Sequence, residues 1–366
     1  MIRILLIIAQ IVPWYLFPGA VPPDTTKAQT PPEEEYHADI PETVNVSLAM
    51  PLGRAVPGNM DFYCGALLAA RDLGNEGISL TLSAYDSSTQ VISAGLIEGS
   101  DVFLGPVSYD DVREAALQCP EGRVIISPLD QRVGSLPDSL RIIQTPTPSS
   151  QQLRELARWA AEDLTGETSL IVILEPGGEL PSVLTEELDS LGVFWTKTVG
   201  YSDLDSLCAE GRSIRFLVSS DKEWFNSGAI RSVSVLAMEQ HDVSIYCPSR
   251  VRSYENLNVE LLHNACAHIA VTYSIDYDSP SVRDFVYSYR ALFKAEPNSF
   301  AFHGYDTMRY FTELCSTYGR EWYKKAAQTP GKGLQSDFSF RQNGAGLVNH
   351  ACRRVVYNRD FTVSVH

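Results

Sequence analysis

The sequence predicts an α/β protein of two lobes, each a parallel sheet with helices on both faces. Two observations predict it. Short apolar strands alternate with helical stretches from residue 44 onward, and the alternation runs through two successive series. Such alternation requires crossover helices, which cover a parallel sheet on both sides.

The first series begins with "VNVSLAMPL" (44–52), "SLTLSAYD" (79–86), "DVFLGPV" (101–107) and "RVIISPL" (123–129). Helices are expected between them near 60–74, 89–97 and 109–118. The second series has "RIIQTPT" (141–147), "SLIVILE" (169–175), "VFWTKTVG" (193–200), "RFLVSS" (215–220) and "VSIYC" (243–247). Its helices are expected near 150–165, 179–191, 203–210, 223–239 and 258–265. Leu153, Leu156, Ala157, Ala160, Ala161 and Leu164 recur at helical spacing. Ser149, with Gln152 three residues on, reads as a capping box for that helix. The pattern then breaks. "HIAVTYSIDYDSPS" (268–281) reads as an extended crossing, two further helices follow, and the tail after Gly333 reads as a hairpin with a glycine turn.

The chain has 366 residues and a formal net charge of −16. That surface repels nucleic acid and anionic membrane, so no nucleic-acid partner is expected. Met1–Ala20 carries one charge, Arg3, before an apolar run from Ile4 to Val12 that Pro13 interrupts. The run is short for a membrane span and fits an export signal, with a retained anchor as the other reading. Cleavage after Ala20 would leave −16 − 1 = −17. The first cysteine is Cys64, so a lipid-anchored cysteine near the mature N-terminus is not expected. Residues 21–43 hold five prolines and six acids and read as a linker.

Most of the seven cysteines follow the apolar phase of their elements and read as small buried hydrophobes, with a disulfide after export as the other reading. No Cys/His spacing suits zinc. GxGxxG, the P-loop, GxSxG and HExxH are all absent, so no cofactor and no catalytic role are expected.

Several stretches carry a resemblance: "VNVSLAMPLG" with "NMDFYCGALLAARDLGNEG", "VFLGPVSYDD", "RVIISPLD", "VYSYRALFKAEPNSFAFHGYDTMRYF", and the closing "GLQSDFSFRQNGAGLVNHACRRVVY". From about residue 44 to the end the chain resembles the type I periplasmic binding proteins of the leucine/isoleucine/valine-binding kind. The resemblance implies two lobes that close on a small ligand about a hinge of three crossings. Mapped here, the crossings fall near 145–149, 270–278 and 329–335. Lobe 1 is then 44–146 with 274–330, and lobe 2 is 147–273 with 331–366. It further implies a periplasmic solute receptor that serves an ABC-type importer through a membrane permease. A regulatory module of the cell envelope, contacting a wall-synthesis enzyme without a transported ligand, is the alternative.

Candidate ligand groups lie just past strand ends, where open α/β sheets bind ligands. In lobe 1 these are Tyr85, Ser108, Tyr109, Ser127 and Asp130. In lobe 2 they are Glu175, Asp221 and Tyr246, with Trp224 and Ser249 beside them. Ser108 has a competing role as a helix N-cap, with Asp110 and Asp111 already at the positive helix end. Amino-acid-binding relatives usually carry small Ser, Thr or Ala residues after the fourth strand; Leu129, Asp130 and Gln131 stand there instead. Asp130 is expected either to pair with a ligand ammonium or to serve the turn. Tyr305 and Asp306 read as structural, bracing a helix near the hinge.

Overall fold

The computed structural model describes residues 39–53 and 57–366. The expected export segment, and the linker before Asp39, lie outside the described residues.

The first lobe has β1 (Val44–Met50), α1 (Pro57–Asn75), β2 (Leu80–Asp86), α2 (Ala94–Glu98), β3 (Val102–Leu104), α3 (Tyr109–Leu117), β4 (Ile125–Ser127) and β5 (Ile142–Gln144); β5, expected to open the second series, pairs with β4 in the first sheet instead. The second forms α4 (Ser149–Glu162), β6 (Ser169–Leu174), α5 (Ser182–Ser190), β7 (Trp195–Val199), β8 (Ile214–Val218), α6 (Glu223–Met238), β9 (Val243–Cys247), α7 (Val259–Asn264) and β10 (Ala267–Val271). Then come α8 (Pro280–Phe293), α9 (Ser299–Tyr318), β11 (Gly331–Lys332), β12 (Asp337–Phe338), β13 (Phe340–Asn343), β14 (Gly346–Asn349), β15 (Arg353–Tyr357) and β16 (Val363–Val365).

Two seven-stranded sheets result. Their orders are β13-β14-β5-β4-β3-β1-β2 and β16-β15-β10-β9-β8-β6-β7. Five parallel strands form the body of each, and the closing strands extend one edge. Both faces of each sheet are covered, which explains the near-continuous apolar strands. In lobe 1, Leu48, Leu104 and Ile126 face α1 and α9, while Phe103 and Ile125 face α2 and α3. In lobe 2, Phe216 and Ile245 face α6, while Leu170 and Leu217 face α4 and α5.

Helices α1 and α9 meet through glycine. A Cβ on Gly65 would stand 1.9 Å from the Ala301 carbonyl oxygen, and one on Gly304 would stand 2.0 Å from that of Phe62. The two backbones therefore touch where any side chain would force them apart.

The tail corrects the expected lobe assignment. β13 and β14 belong to the first sheet, β14 pairing with β5, so residues 340–349 belong to lobe 1. The third crossing is 350–352, between β14 and β15, and not 329–335. Residues 329–335 instead turn back along α9, held by Asp306. Its carboxylate accepts from the backbone N–H groups of Leu334 (2.7 Å), Gln335 (2.9 Å) and Ser336 (2.9 Å). One hairpin-like tail in sequence thus divides into two antiparallel pairs, one for each sheet.

Polar side chains tie the crossings together. Gln152 donates to the Thr147 carbonyl (3.1 Å) and the Thr272 hydroxyl (2.9 Å), and the Thr147 hydroxyl donates to the Ala351 carbonyl (2.5 Å). Arg353 donates to the carbonyls of Ser274 (2.5 Å), Gly333 (2.6 Å) and Leu334 (3.0 Å) and to Asp337 (2.7 Å). The expected capping box at Ser149 does not form. Ser149 is already the first residue of α4, Pro148 precedes it, and Gln152 is committed to the hinge.

All seven cysteines are free. Among the described residues no helix is long and apolar enough to cross a membrane.

Candidate functional site

The crossings fix where the site lies. The chain leaves the carboxyl end of β5 and enters α4, whose N-terminus sits at the carboxyl edge of the second sheet. It later leaves the carboxyl end of β10 for α8. Both sheets therefore turn their carboxyl edges toward the cleft.

On the lobe-1 edge, β3 ends at Gly105, with φ 101° and its backbone against β1. A Cβ there would meet the Ala49 carbonyl oxygen at 1.9 Å. This close approach carries Val107 and Ser108 over the sheet edge. The Ser108 hydroxyl accepts from the Asp111 N–H (3.3 Å) and donates to the Asp111 carboxylate (2.5 Å). It is the N-cap of α3. After β4, Asp130 accepts from the Arg132 backbone N–H (2.8 Å) and from its guanidinium (2.6 and 3.0 Å). That contact holds the Asp130 carboxyl below its ordinary range. The Arg132 guanidinium also lies 5.4 Å above the Tyr109 ring. Asp86 is spent on a turn: it accepts from the Ser88 hydroxyl (2.6 Å) and N–H (3.0 Å) and from the Leu52 N–H (3.1 Å).

On the lobe-2 edge, Glu175 after β6 pairs with Lys222 and accepts from the Ser220 hydroxyl (2.8 Å). Lys222, then Ser220, hold its carboxyl low. Lys222 lies 5.9 Å above the exposed Trp224 ring. Asp221 pairs with Arg250 at 2.7 Å. Beside this pair is a pocket of about 250 Å³, whose polar lining is Ser149, Ser150, Gln152, Ser219, Asp221, Ser249 and Arg250 and whose apolar lining includes Leu153 and Leu156. Four hydroxyls and a guanidinium bring hydrogen-bond donors to this pocket.

This two-lobed backbone matches solved structures. A structure described as a candidate branched-chain amino acid ABC transporter from Rhodospirillum rubrum aligns at TM-score 0.63 and 16% identity, covering 88% of this chain and 100% of that one. A branched-chain amino acid ABC transporter structure from Rhodopseudomonas palustris aligns at TM-score 0.57 and 12% identity, covering 88% and 95%. A branched-chain amino acid ABC transporter periplasmic ligand-binding protein from Burkholderia xenovorans aligns at TM-score 0.54 and 11% identity, covering 88% and 94%. The chain has the type I periplasmic binding protein fold. No family model and no curated protein matches the sequence.

On this type I scaffold the expected site residues separate into groups. Ser108, Tyr109 and Asp130 stand together on the lobe-1 edge, and Glu175 and Asp221 stand on the lobe-2 edge. Tyr85 packs against the cluster under α3. Ser127 is fully buried at the end of β4, and its hydroxyl has no partner. Tyr246 does not reach the cleft. It is fully buried between the second sheet and α4, stacked on His268 at 4.6 Å. Its hydroxyl donates to Asp163 at the far end of α4, and burial followed by Asp163 raises its pKa. The strand's alternation explains the error: Tyr246 sits one residue before the strand end and points sideways into the core.

Sequence reasoning did not select Ser149, Ser150, Ser219, Arg132, Lys222 or Arg250 as ligand groups. The available signal was the same strand-end rule that found Asp221 and Ser249; their neighbours were passed over. Among the described residues, no group of His, Cys, Asp and Glu could hold a metal ion.

Proposed function

We propose that this chain is an exported solute-binding protein. It binds a small polar ligand, an amino acid or a related metabolite, between its lobes and presents it to the permease of an ABC-type importer. One observation carries the reading: a donor-lined pocket of about 250 Å³ opens at the carboxyl edge of the second sheet, beside the hinge. Its volume suits a small metabolite. The names of the three aligned structures, all from amino-acid ABC transporters, support the same class. Ser108, Tyr109, Asp130, Glu175 and Asp221 are the sequence-derived residues that this reading keeps at the cleft.

A thermal-shift and calorimetric screen of amino acids, organic acids and polyols against the folded protein tests it. Saturable binding by at least one compound is expected. A folded protein that binds nothing across the panel would overturn the proposal. Export is checked separately by mass spectrometry of the native protein, which is expected to begin near residue 21.

A further inference from the structure

The charged groups at the cleft narrow the ligand. A zwitterionic amino acid needs an acceptor for its ammonium as well as donors for its carboxylate. A buried ammonium left unpaired is costly. Three acids at the two mouths are already engaged, and Asp110, at the start of α3 beside Arg132, does not line the pocket. The one carboxylate lining the pocket, Asp221, is paired with Arg250 at 2.7 Å. Asp130 is held by Arg132, and Glu175 by Lys222.

Two of these pairs also have a direction. The Asp130 side chain is 10% exposed and Arg132 72%; Glu175 is 14% exposed and Lys222 57%. In each, the acid lies beneath and the base faces outward. The half-buried carboxylate positions the cation and leaves outer donors on it facing solvent. The third pair is reversed, with Asp221 92% and Arg250 45% exposed. There the acid is the mobile partner, and an incoming anion could replace it on the guanidinium. The remaining polar lining is four serine hydroxyls, which donate readily to a carboxylate, and Gln152, whose amide N–H groups are committed to Thr147 and Thr272.

We infer that the cleft takes a small carboxylate anion lacking a required ammonium group, held by Arg250 within the lobe-2 pocket and by Arg132 from the lobe-1 edge. This rests on the solute-binding reading and names its ligand class. Guanidinium groups suit the role, since their planar fork matches two carboxylate oxygens. Asp221, 92% exposed, occupies Arg250 in the empty protein and turns out to solvent when the anion arrives, so it offers no buried acceptor to an ammonium.

The test is calorimetric titration of the intact protein with matched pairs, leucine against isocaproate and valine against isovalerate, together with succinate. The variants Arg250→Gln, Arg132→Gln and Asp221→Asn are titrated alongside, each first shown to be folded by its melting curve. A carboxylate is expected to bind at least about tenfold tighter than its amino-acid counterpart. Arg250→Gln and Arg132→Gln should each weaken it by about tenfold or more. Asp221→Asn should tighten it, because the competitor for Arg250 has lost its charge. An amino acid binding more tightly than its deaminated partner overturns the ligand class and leaves the solute-binding reading standing. Carboxylate binding that survives both arginine substitutions overturns the site. Failure of every compound, here and in the broad panel, overturns both readings together.

Discussion

The hinge and the cleft mouths are both built from polar side chains, and they use them in opposite ways. At the hinge, Gln152, Arg353 and Asp306 are buried, with their bonding directed to backbone groups of the crossings and of the 333–336 loop. At the mouths, Arg132, Lys222 and Arg250 are ion-paired yet exposed. Buried, satisfied polar groups fix one geometry, and losing a partner leaves another buried group unpaired. Exposed pairs contribute little stability and remain free to exchange partners. Under the proposed reading, the crossings hold the two lobes in register while the mouths stay free to exchange partners.

The largest expected effect is at the hinge. Arg353→Ala strips donors from three carbonyls and from Asp337, so it should cost about 3 kcal/mol or more in urea unfolding at neutral pH. A loss below about 1 kcal/mol would show that the crossings are not tied through this residue.

A pH prediction sharpens the same contrast. Burial pushes the Asp306 carboxyl up to about 6, against three backbone N–H donors and Arg353, which lower it. Relative to its ordinary 3.8, its stabilising contribution is present below about pH 4 and lost as pH rises through about 6. His303, one turn earlier on α9, is pushed down by burial from 6.5 to about 4. Its contribution is present above about pH 6.5 and lost as pH falls toward about 4. The two oppose each other in one window. Asp306→Asn should therefore lose stability more steeply on acidification than the parent, and His303→Gln less steeply. Urea midpoints measured across that range decide it; parallel slopes in all three proteins would refute the assignment.

Effects at the mouths should be smaller. Ser108→Ala removes the α3 cap and should cost about 0.5–2 kcal/mol while leaving ligand affinity nearly unchanged. A loss of affinity without a loss of stability would return Ser108 to the ligand. Asp130→Asn breaks a pair with an exposed arginine and should cost less than about 1 kcal/mol in thermal or urea unfolding. A cost near that of Arg353→Ala would erase the distinction between mouth and hinge.

Much of the fold was legible because strand and helix periods are local. The alternation of "VNVSLAMPL", "SLTLSAYD" and "DVFLGPV" with helical segments already requires crossover helices and a parallel sheet. The third crossing was not legible, because which sheet β14 joins is a long-range choice. Leu347 pairs with Ile143, some two hundred residues away, and neither strand's composition names the other. The site was partly legible for the same reason. Position after a strand end located Ser108, Asp130, Glu175 and Asp221 at the sheet edges. It could not show that Arg132, Lys222 and Arg250 already hold three of the four, nor that Tyr246 turns into the core.

Small-angle X-ray scattering with and without ligand tests the account most directly, using the carboxylate that titrates most tightly at saturating concentration. The proposed closure of the two lobes about only three crossings predicts a smaller radius of gyration in the bound state. An unchanged scattering curve at proven saturation would contradict the hinge-and-cleft account.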